Sequence, residues 1–259
     1  MKSAFLFLAF TFAITAQAAV KTEVVTYKEG KTELEGFIAY DDSIKTPRPV
    51  VLIVHQWMGL SENEKMRAQM LAEKGYVAFA IDVYGKGIRP TALAEAGKLA
   101  GEYKNNRKLF RAREQAAYDF IKKDKRVDAK KIVVIGYCFG GTGALELART
   151  GTPLAGVVSF HGGLANPQPQ DAKKIKAPVL VLHGAIDPNV PPAEVDAFKT
   201  EMNDAKVDYQ FVAYANAVHA FTQKEVGSDN SKGAAYNELA DRRSWRELVN
   251  FLEDVAPIK

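Results

Sequence analysis

The chain has 259 residues, of which 47% are hydrophobic and 25% are charged, and its formal net charge is +4. This composition is typical of a globular protein and excludes disordered, collagen-like and coiled-coil classes, while the intermixed charges exclude a nucleic-acid-binding patch. The single cysteine cannot form an intramolecular disulfide, and no Cys/His cluster has the spacing of a zinc site. We therefore expect no disulfide scaffold and no metal, and the lone thiol is either a buried core residue or a reactive group.

The first 18 residues have the layout of a secretory signal peptide. Lys2 provides a basic start, an apolar run covers residues 4–13, and residues 16–18 form an Ala-x-Ala cleavage site. The alternative is an N-terminal membrane anchor, but the apolar run is shorter than the ~20 residues that span a bilayer. We predict cleavage after Ala18, one domain over residues 19–259, and a periplasmic or secreted protein whose mature chain does not span a membrane.

The mature chain begins with a hairpin and continues with buried strands. Residues 24–40 predict an antiparallel hairpin that turns at Gly30. Beyond it, five short apolar runs are continuous rather than alternating, which is typical of parallel strands covered on both faces. These runs are residues 50–54, 76–81, 132–135, 156–160 and 179–182, and an alternating run over 207–214 indicates a strand nearer the sheet edge.

Helical patterns lie between these runs. Ser61 and Glu64 form a capping box that opens the first helix. Further helices are predicted over 91–123 (one or two), after Cys138, after Pro192, and over 236–254, where Leu239, Leu248, Phe251, Leu252 and Val255 lie largely along one face. Because strands alternate with helices, we predict a single doubly wound α/β domain with a mostly parallel central sheet and helices on both faces.

Residues 136–140 (Gly-Tyr-Cys-Phe-Gly) join a buried strand to a helix rich in Ala and Leu. This is the layout of a nucleophile elbow, a sharp turn that exposes Cys138 while small residues on each side let strand and helix pack closely. The helix N-terminus also favours a thiolate. The alternatives are a core cysteine and a phosphate-binding glycine turn, but no acidic residue near position 160 supports a dinucleotide site. We favour a nucleophile.

A cysteine nucleophile needs a base and a group that orients the base. Of the four histidines, His55, His161 and His183 follow strands, whereas His219 lies in the loop before the final helix. Only His219 gives the order nucleophile, acid, histidine that α/β-hydrolases use, with Asp187 as the acid. We predict that Cys138, Asp187 and His219 converge at the carboxyl edge of the sheet.

On these residues the chain resembles the dienelactone hydrolase (carboxymethylenebutenolidase) family, which has the α/β-hydrolase fold. Residues 136–141 resemble its cysteine elbow, 183–191 its acid segment, and 214–221 its histidine loop, and the resemblance extends over about residues 22–254. It implies an enzyme that cleaves small esters, lactones or thioesters through a thioester acyl-enzyme, with no cofactor and with a small molecule as its binding partner. We expect a monomer or a weak homodimer.

The resemblance also implies roles for individual residues. His219 would take the proton from Cys138 or stabilise its thiolate and later activate water, and Asp187 would orient His219. The backbone N–H groups of Trp57 and Phe139 would form the oxyanion hole. The side chains expected at the substrate pocket are Gln56, Tyr84, His161 and Phe221.

Two positions depart from the family pattern. Gln56 stands where the family often has a glutamate that contacts the nucleophile, so Cys138 is expected to ionise more freely against His219. Gln223 stands where members acting on dienelactone carry an arginine for the substrate carboxylate, and Lys86 or Arg89 are the candidate replacements. The alternatives to an enzyme are a catalytically idle scaffold that binds a ligand or partner protein, and a thiol-reactive redox protein.

Overall fold

An eight-stranded sheet runs through the computed structural model, which describes residues 20–258. The predicted signal peptide lies outside the described residues. The strands are β1 (Val20–Glu29), β2 (Thr32–Asp41), β3 (Arg48–Val54), β4 (Val77–Ile81), β5 (Val127–Tyr137), β6 (Gly156–Phe160), β7 (Val179–Gly184) and β8 (Tyr209–Tyr214). The helices are α1 (Glu62–Ala72), α2 (Leu93–Asn105), α3 (Arg107–Ile121), α4 (Phe139–Arg149), α5 (Pro192–Asp204) and α6 (Glu238–Val255).

The strand order is β1-β2-β4-β3-β5-β6-β7-β8. β1 and β2 form the predicted antiparallel hairpin, and β2 is also antiparallel to β4. All other neighbours are parallel. Every residue of β3, β4, β6 and β7 is buried, which explains their continuous apolar sequences. The predicted fold, a mostly parallel sheet in a single α/β domain, is confirmed, and β8 lies at the edge as expected.

Helices cover both faces of the sheet. Apolar residues of α1 and α6 pack against one face, and those of α2, α3, α4 and α5 belong to the core on the other. On α6 the predicted apolar face holds for Leu248, Phe251 and Leu252, which are buried. Leu239 departs from it, with 43% of its surface exposed, because Ala240 is the residue of the first turn that faces the sheet.

Local capping determines where two of the helices begin. The capping box of Ser61 and Glu64 at the start of α1 is present, as predicted. The charged stretch 91–123 forms two helices because Asn106 interrupts it, and the Asn106 side chain accepts a hydrogen bond of 3.1 Å from the backbone N–H of Leu109. Within residues 20–258, no helix combines the length and the apolar composition that crossing a membrane requires.

Candidate active site

Cys138 lies between the end of β5 and the first residue of α4, at a backbone angle φ of 55°. A residue with a side chain rarely adopts this conformation, and here the turn is enforced by close packing. A side-chain carbon on Gly136 would overlap the backbone of Gly140, and one on Gly140 would overlap the carbonyl of Val54. Gly136 therefore lets β5 and α4 approach closely, and Gly140 lets α4 approach the end of β3. The side chain of Cys138 between them is partly exposed.

The structure brings the three residues of the predicted triad together. Nε2 of His219 lies 3.0 Å from Sγ of Cys138, and Nδ1 of the same ring lies 2.8 Å from Oδ2 of Asp187. The second Asp187 oxygen accepts a hydrogen bond of 2.8 Å from the backbone N–H of Asn189. Asp187 follows β7 and His219 follows β8, so parallel strands deliver both side chains to the same edge as the elbow after β5.

Each ionised group of this cluster stabilises the charged form of its neighbour. Burial alone would lower the pKa of His219, but the Cys138 thiolate and the Asp187 carboxylate outweigh it and raise that pKa to about 10. Burial alone would raise the pKa of the Cys138 thiol, but the charge and hydrogen bond of His219 outweigh it, and the pKa lies below its usual value. Both shifts favour the thiolate–imidazolium form of the pair over the form in which both groups are neutral.

The two residues predicted to form the oxyanion hole, Trp57 and Phe139, lie at the candidate site. The N–H of Phe139, at the start of α4, donates toward the Cys138 sulfur and helps to lower the pKa of the thiol. Trp57 lies in the loop after β3, and its N–H has no hydrogen-bond acceptor within residues 20–258. Glu64 fixes that loop because its carboxylate accepts a bond of 3.5 Å from the backbone N–H of Gln56. Trp57 lines the cavity and Phe139 directly follows Cys138, and their role as an oxyanion hole stays a prediction.

A cavity of about 450 Å³ opens onto the thiol, and both Cys138 and His219 line it. Its size suits a small molecule. The cavity wall carries the cation of Lys104 and no carboxylate. The remaining lining residues are Trp57, Gly163, Asn189, Val190, Ala220, Gln223, Val226 and Ala234.

None of the four side chains expected at the substrate pocket is among those that line this cavity, and all four are buried. The hydroxyl of Tyr84 donates to the carbonyl of Trp57 at 2.9 Å. The ring of His161 packs edge-on against His219, with ring centres 5.3 Å apart, and against Phe221 at 5.0 Å. The fourth, Gln56, is also buried.

The cationic residue at the cavity is not one of those predicted from the sequence. Neither Lys86 nor Arg89 lines the cavity, and Arg89 is instead 3.5 Å from the buried Asp82. The cation at the cavity is Lys104, which lies in the charged stretch 91–123. No sequence signal marks it, because charged residues occur throughout that stretch and only the packing of α2 shows which of them lines the cavity.

Two of the buried histidines, His55 and His161, are held by hydrogen bonds away from the thiol. Nε2 of His55 accepts a hydrogen bond of 3.1 Å from the backbone N–H of Val83, and burial lowers the pKa of His55 to about 4. Burial likewise holds the pKa of His161 well below its usual value. His219 is instead the histidine whose ring contacts the Cys138 sulfur. Across residues 20–258, no group of three or more His, Cys, Asp and Glu side chains is arranged to hold a metal ion.

Comparison with known proteins identifies the family of this chain. A relative from Saccharolobus solfataricus, named "Putative carboxymethylenebutenolidase", is 30% identical over 90% of this chain and 98% of its own. The solved structure of m3DLH is 36% identical, with a TM-score of 0.89 over 92% of this chain and 99% of its own. That of the dienelactone hydrolase-like promiscuous phosphotriesterase P91, from metagenomic libraries, is 38% identical, with a TM-score of 0.88 over the same shares. The model of the "Dienelactone hydrolase family" matches residues 34–256, and the chain belongs to that family of α/β-fold hydrolases.

Proposed function

We propose that this hydrolase cleaves small carboxylic esters, lactones or thioesters through a Cys138–His219–Asp187 triad and a thioester acyl-enzyme. The observation that carries the proposal is the 3.0 Å contact between Nε2 of His219 and Sγ of Cys138 inside a cavity of about 450 Å³. A thiolate paired with an imidazolium is a ready nucleophile next to a ready proton donor.

In the first half-reaction the Cys138 thiolate attacks the carbonyl carbon, forming a C–S bond and placing negative charge on the carbonyl oxygen. The backbone N–H groups of Phe139 and Trp57 stabilise that oxyanion, an interaction whose loss typically costs about 10²–10³ in turnover. The tetrahedral intermediate collapses, the bond to the leaving group breaks, and the His219 imidazolium gives its proton to the leaving oxygen or sulfur. The acyl group remains on the enzyme as a thioester.

In the second half-reaction the now neutral His219 accepts a proton from water, whose oxygen attacks the thioester carbonyl. The C–S bond breaks, the acid product leaves, and the thiolate and imidazolium are restored. Asp187 stabilises the imidazolium at both stages through its 2.8 Å contact with Nδ1. No redox partner or cofactor is needed, because each proton and electron pair moves between these groups and the substrate.

Pre-steady-state kinetics with 4-nitrophenyl acetate test the proposal. We expect a burst of one 4-nitrophenolate per enzyme, lost in Cys138→Ala and strongly slowed in His219→Ala. A wild-type protein that shows no burst and no turnover over several acyl chain lengths would support the alternative of an idle scaffold. A burst that persists in Cys138→Ala would place the nucleophile elsewhere.

Phosphotriester cleavage is a second candidate activity, since the relative that is 38% identical is described as a promiscuous phosphotriesterase. The Cys138 thiolate would attack phosphorus and expel an aryloxide. Release of 4-nitrophenolate from diethyl 4-nitrophenyl phosphate, abolished in Cys138→Ala, is the expected result. Wild-type release no faster than that of Cys138→Ala would remove this activity.

We also propose that the protein is exported, with residues 1–18 as the cleaved signal. The basic start, the short apolar run and the Ala-x-Ala site support this assignment. Expression of the full chain in a Gram-negative host should release a protein by osmotic shock whose N-terminal residue is Ala19. Retention of the uncleaved chain in the cytoplasm would contradict export.

A further inference from the structure

His161 directly follows β6, the strand that lies between the strand of the nucleophile, β5, and the strand before the acid, β7. Its backbone is anchored on both sides. The carbonyl of its neighbour Phe160 accepts a hydrogen bond of 2.9 Å from the backbone N–H of Cys138. Its own N–H donates a bond of 2.8 Å to the carbonyl of Leu182. The end of β6 is therefore tied directly to the backbone of the nucleophile.

The side chain of His161 contacts three residues of the loop that carries the catalytic histidine. Its ring centre lies 5.3 Å from that of His219, with 68° between the ring planes, and 5.0 Å from that of Phe221. Nε2 of His161 and Oγ1 of Thr222 share a hydrogen bond of 2.8 Å. His161, Phe221 and Thr222 are all buried. One side chain thus connects the elbow of the nucleophile with the loop of the base.

The other supports of His219 outside the triad hold its backbone. Its N–H donates a bond of 3.3 Å to the carbonyl of Gly233, and its carbonyl accepts a bond of 3.0 Å from the N–H of Ala235. These bonds leave the ring free to rotate about its side-chain torsions. Among residues 20–258, His161 is the one aromatic residue whose ring packs against the ring of His219.

Two features of His161 cost stability. Its backbone angle φ of 38° is one that residues with a side chain rarely adopt. Its Nδ1 atom is buried without a hydrogen-bond partner. An apolar side chain would fill the same space without an unpaired nitrogen, but it could not bond to Thr222. The bond made by Nε2 is therefore what a histidine adds at this position.

His161 carries no charge that would oppose an imidazolium at His219. Burial holds the pKa of His161 well below its usual value, and the nearby titratable groups of His219, Arg67 and His183 lower it further. The ring is therefore neutral at neutral pH.

We propose that His161 is a positioning residue that sets the orientation of the His219 imidazole relative to the Cys138 sulfur. It does so through its ring contact with His219 and through its hydrogen bond to Thr222 in the same loop. His161 does not line the catalytic cavity, so it acts on the reaction through His219. The inference rests on the proposed triad and adds to it a residue that connects the nucleophile with the base.

The test removes the hydrogen bond from either side. His161→Phe keeps a ring, and Thr222→Val keeps the shape of the threonine side chain. Because both changes remove the same bond, the double variant should differ from the wild type by no more than either single variant. Val158→Ala, three residues earlier in the buried strand β6, is the matched control for a general loss of packing.

Two rates are measured in each variant, at a temperature at which its melting curve shows it folded. One is the alkylation of Cys138 by iodoacetamide as a function of pH, and the other is the acylation burst with 4-nitrophenyl acetate. We expect the alkylation midpoint to rise by about half a pH unit or more, because an imidazolium that leaves the 3.0 Å contact stabilises the thiolate less. The burst should slow about tenfold. Val158→Ala should melt at a lower temperature and keep both values.

Three outcomes would overturn the inference and leave the hydrolase proposal intact. They are an unchanged midpoint in the bond variants, a double variant whose midpoint rises by the sum of the two single rises, and an equal rise in Val158→Ala. If His161→Phe does not fold, Thr222→Val decides alone, because it removes the same bond from the loop side. Alkylation requires no substrate, so it decides the inference even if the wild type cleaves no ester, a result that would reject only the hydrolase proposal.

Discussion

Nε2 of His219 lies 3.0 Å from Sγ of Cys138, although the two residues are 81 positions apart in the chain. The parallel arrangement of β5 and β8 in one sheet makes this contact possible, because the carboxyl ends of both strands lie at the same edge. The contact also determines the charges, since each group stabilises the ionised form of the other.

The pH dependence of alkylation reports this pairing. With its pKa lowered, the Cys138 thiol ionises at a lower pH than a free cysteine, whose pKa is about 8.5. We expect the rate of reaction with iodoacetamide to rise with a midpoint below pH 8.5. In His219→Ala the midpoint should move upward, because the imidazolium that stabilises the thiolate is gone. Rates measured from pH 5 to 10 check this, and a wild-type midpoint at 8.5 or above would contradict the thiolate pair.

The residue at position 56 offers a related test. Gln56 is buried in the loop after β3, where it carries no charge that could oppose the thiolate. Gln56→Glu introduces a carboxylate there, and we expect the alkylation midpoint of Cys138 to rise because like charges disfavour a second anion. Gln56→Met, which is similar in size and uncharged, is the matched control. The hypothesis fails if the midpoint of Gln56→Glu equals that of the wild type.

Removing the charge of Asp187 should lower the pKa of His219 and slow catalysis. The carboxylate holds Nδ1 of His219 at 2.8 Å and contributes to its raised pKa, so in Asp187→Asn that pKa should fall. We expect kcat for an aryl ester to fall by about 10²–10⁴, as expected for loss of an orienting carboxylate. Asp204→Asn, on the exposed end of α5, is the control. Activity of Asp187→Asn within threefold of the wild type would argue against the triad.

The elbow should tolerate no side chain at Gly136. A methyl group there would overlap the backbone of Gly140, so Gly136→Ala should lower the free energy of unfolding by at least about 2 kcal/mol. Gly101, within α2, has no atom within 4 Å of an added methyl group, and Gly101→Ala should instead raise stability by about 0.5–1 kcal/mol. Urea denaturation of both variants compares them. Equal effects would show that the elbow packing is looser than described.

A buried carboxyl group should make stability depend on pH. Both side-chain oxygens of Glu114 are buried without a hydrogen-bond partner, and burial raises its pKa well above the usual value. The folded protein therefore holds a proton that the unfolded chain releases above pH ~4.3, and stability falls as pH rises toward the raised pKa, by at most about 1.4 kcal/mol per unit.

Glu114→Gln should remove this loss, because it keeps the shape of the protonated side chain. We expect its melting temperature to exceed that of the wild type by more at pH 8 than at pH 5. Glu102→Gln, an exposed glutamate on α2, is the control and should follow the wild type at both values. A difference between Glu114→Gln and the wild type that is the same at pH 5 and pH 8 would show that Glu114 does not carry the pH dependence.

Much of the fold could be predicted because burial on both faces leaves a direct trace in the sequence. The continuous apolar runs mark β3, β4, β6 and β7, and the capping box of Ser61 and Glu64 marks the start of α1. The break between α2 and α3 at Asn106 could not be placed from the sequence, because the charged residues around it suit one long helix as well as two. Leu239 likewise follows the apolar spacing of α6 but faces solvent.

The order of the strands made the three triad residues predictable from the sequence. The residues that line the cavity were not predictable, because they depend on the orientation of individual side chains. Cys138, Asp187 and His219 follow strands of one parallel sheet, so their meeting at one edge follows from topology. The wall of the cavity depends on which way each side chain turns. Tyr84 turned inward to bond the carbonyl of Trp57, and His161, Phe221 and Gln56 are buried too, whereas an unmarked lysine of α2 reached the cavity.

The most direct test of the account is the mass of the enzyme during turnover. Wild-type protein mixed with 4-nitrophenyl acetate and quenched in acid should gain the mass of one acetyl group. Proteolysis should place that group on the peptide that contains Cys138, and hydroxylamine should remove it, as expected of a thioester. Turnover of the ester without any adduct on Cys138 would contradict the account.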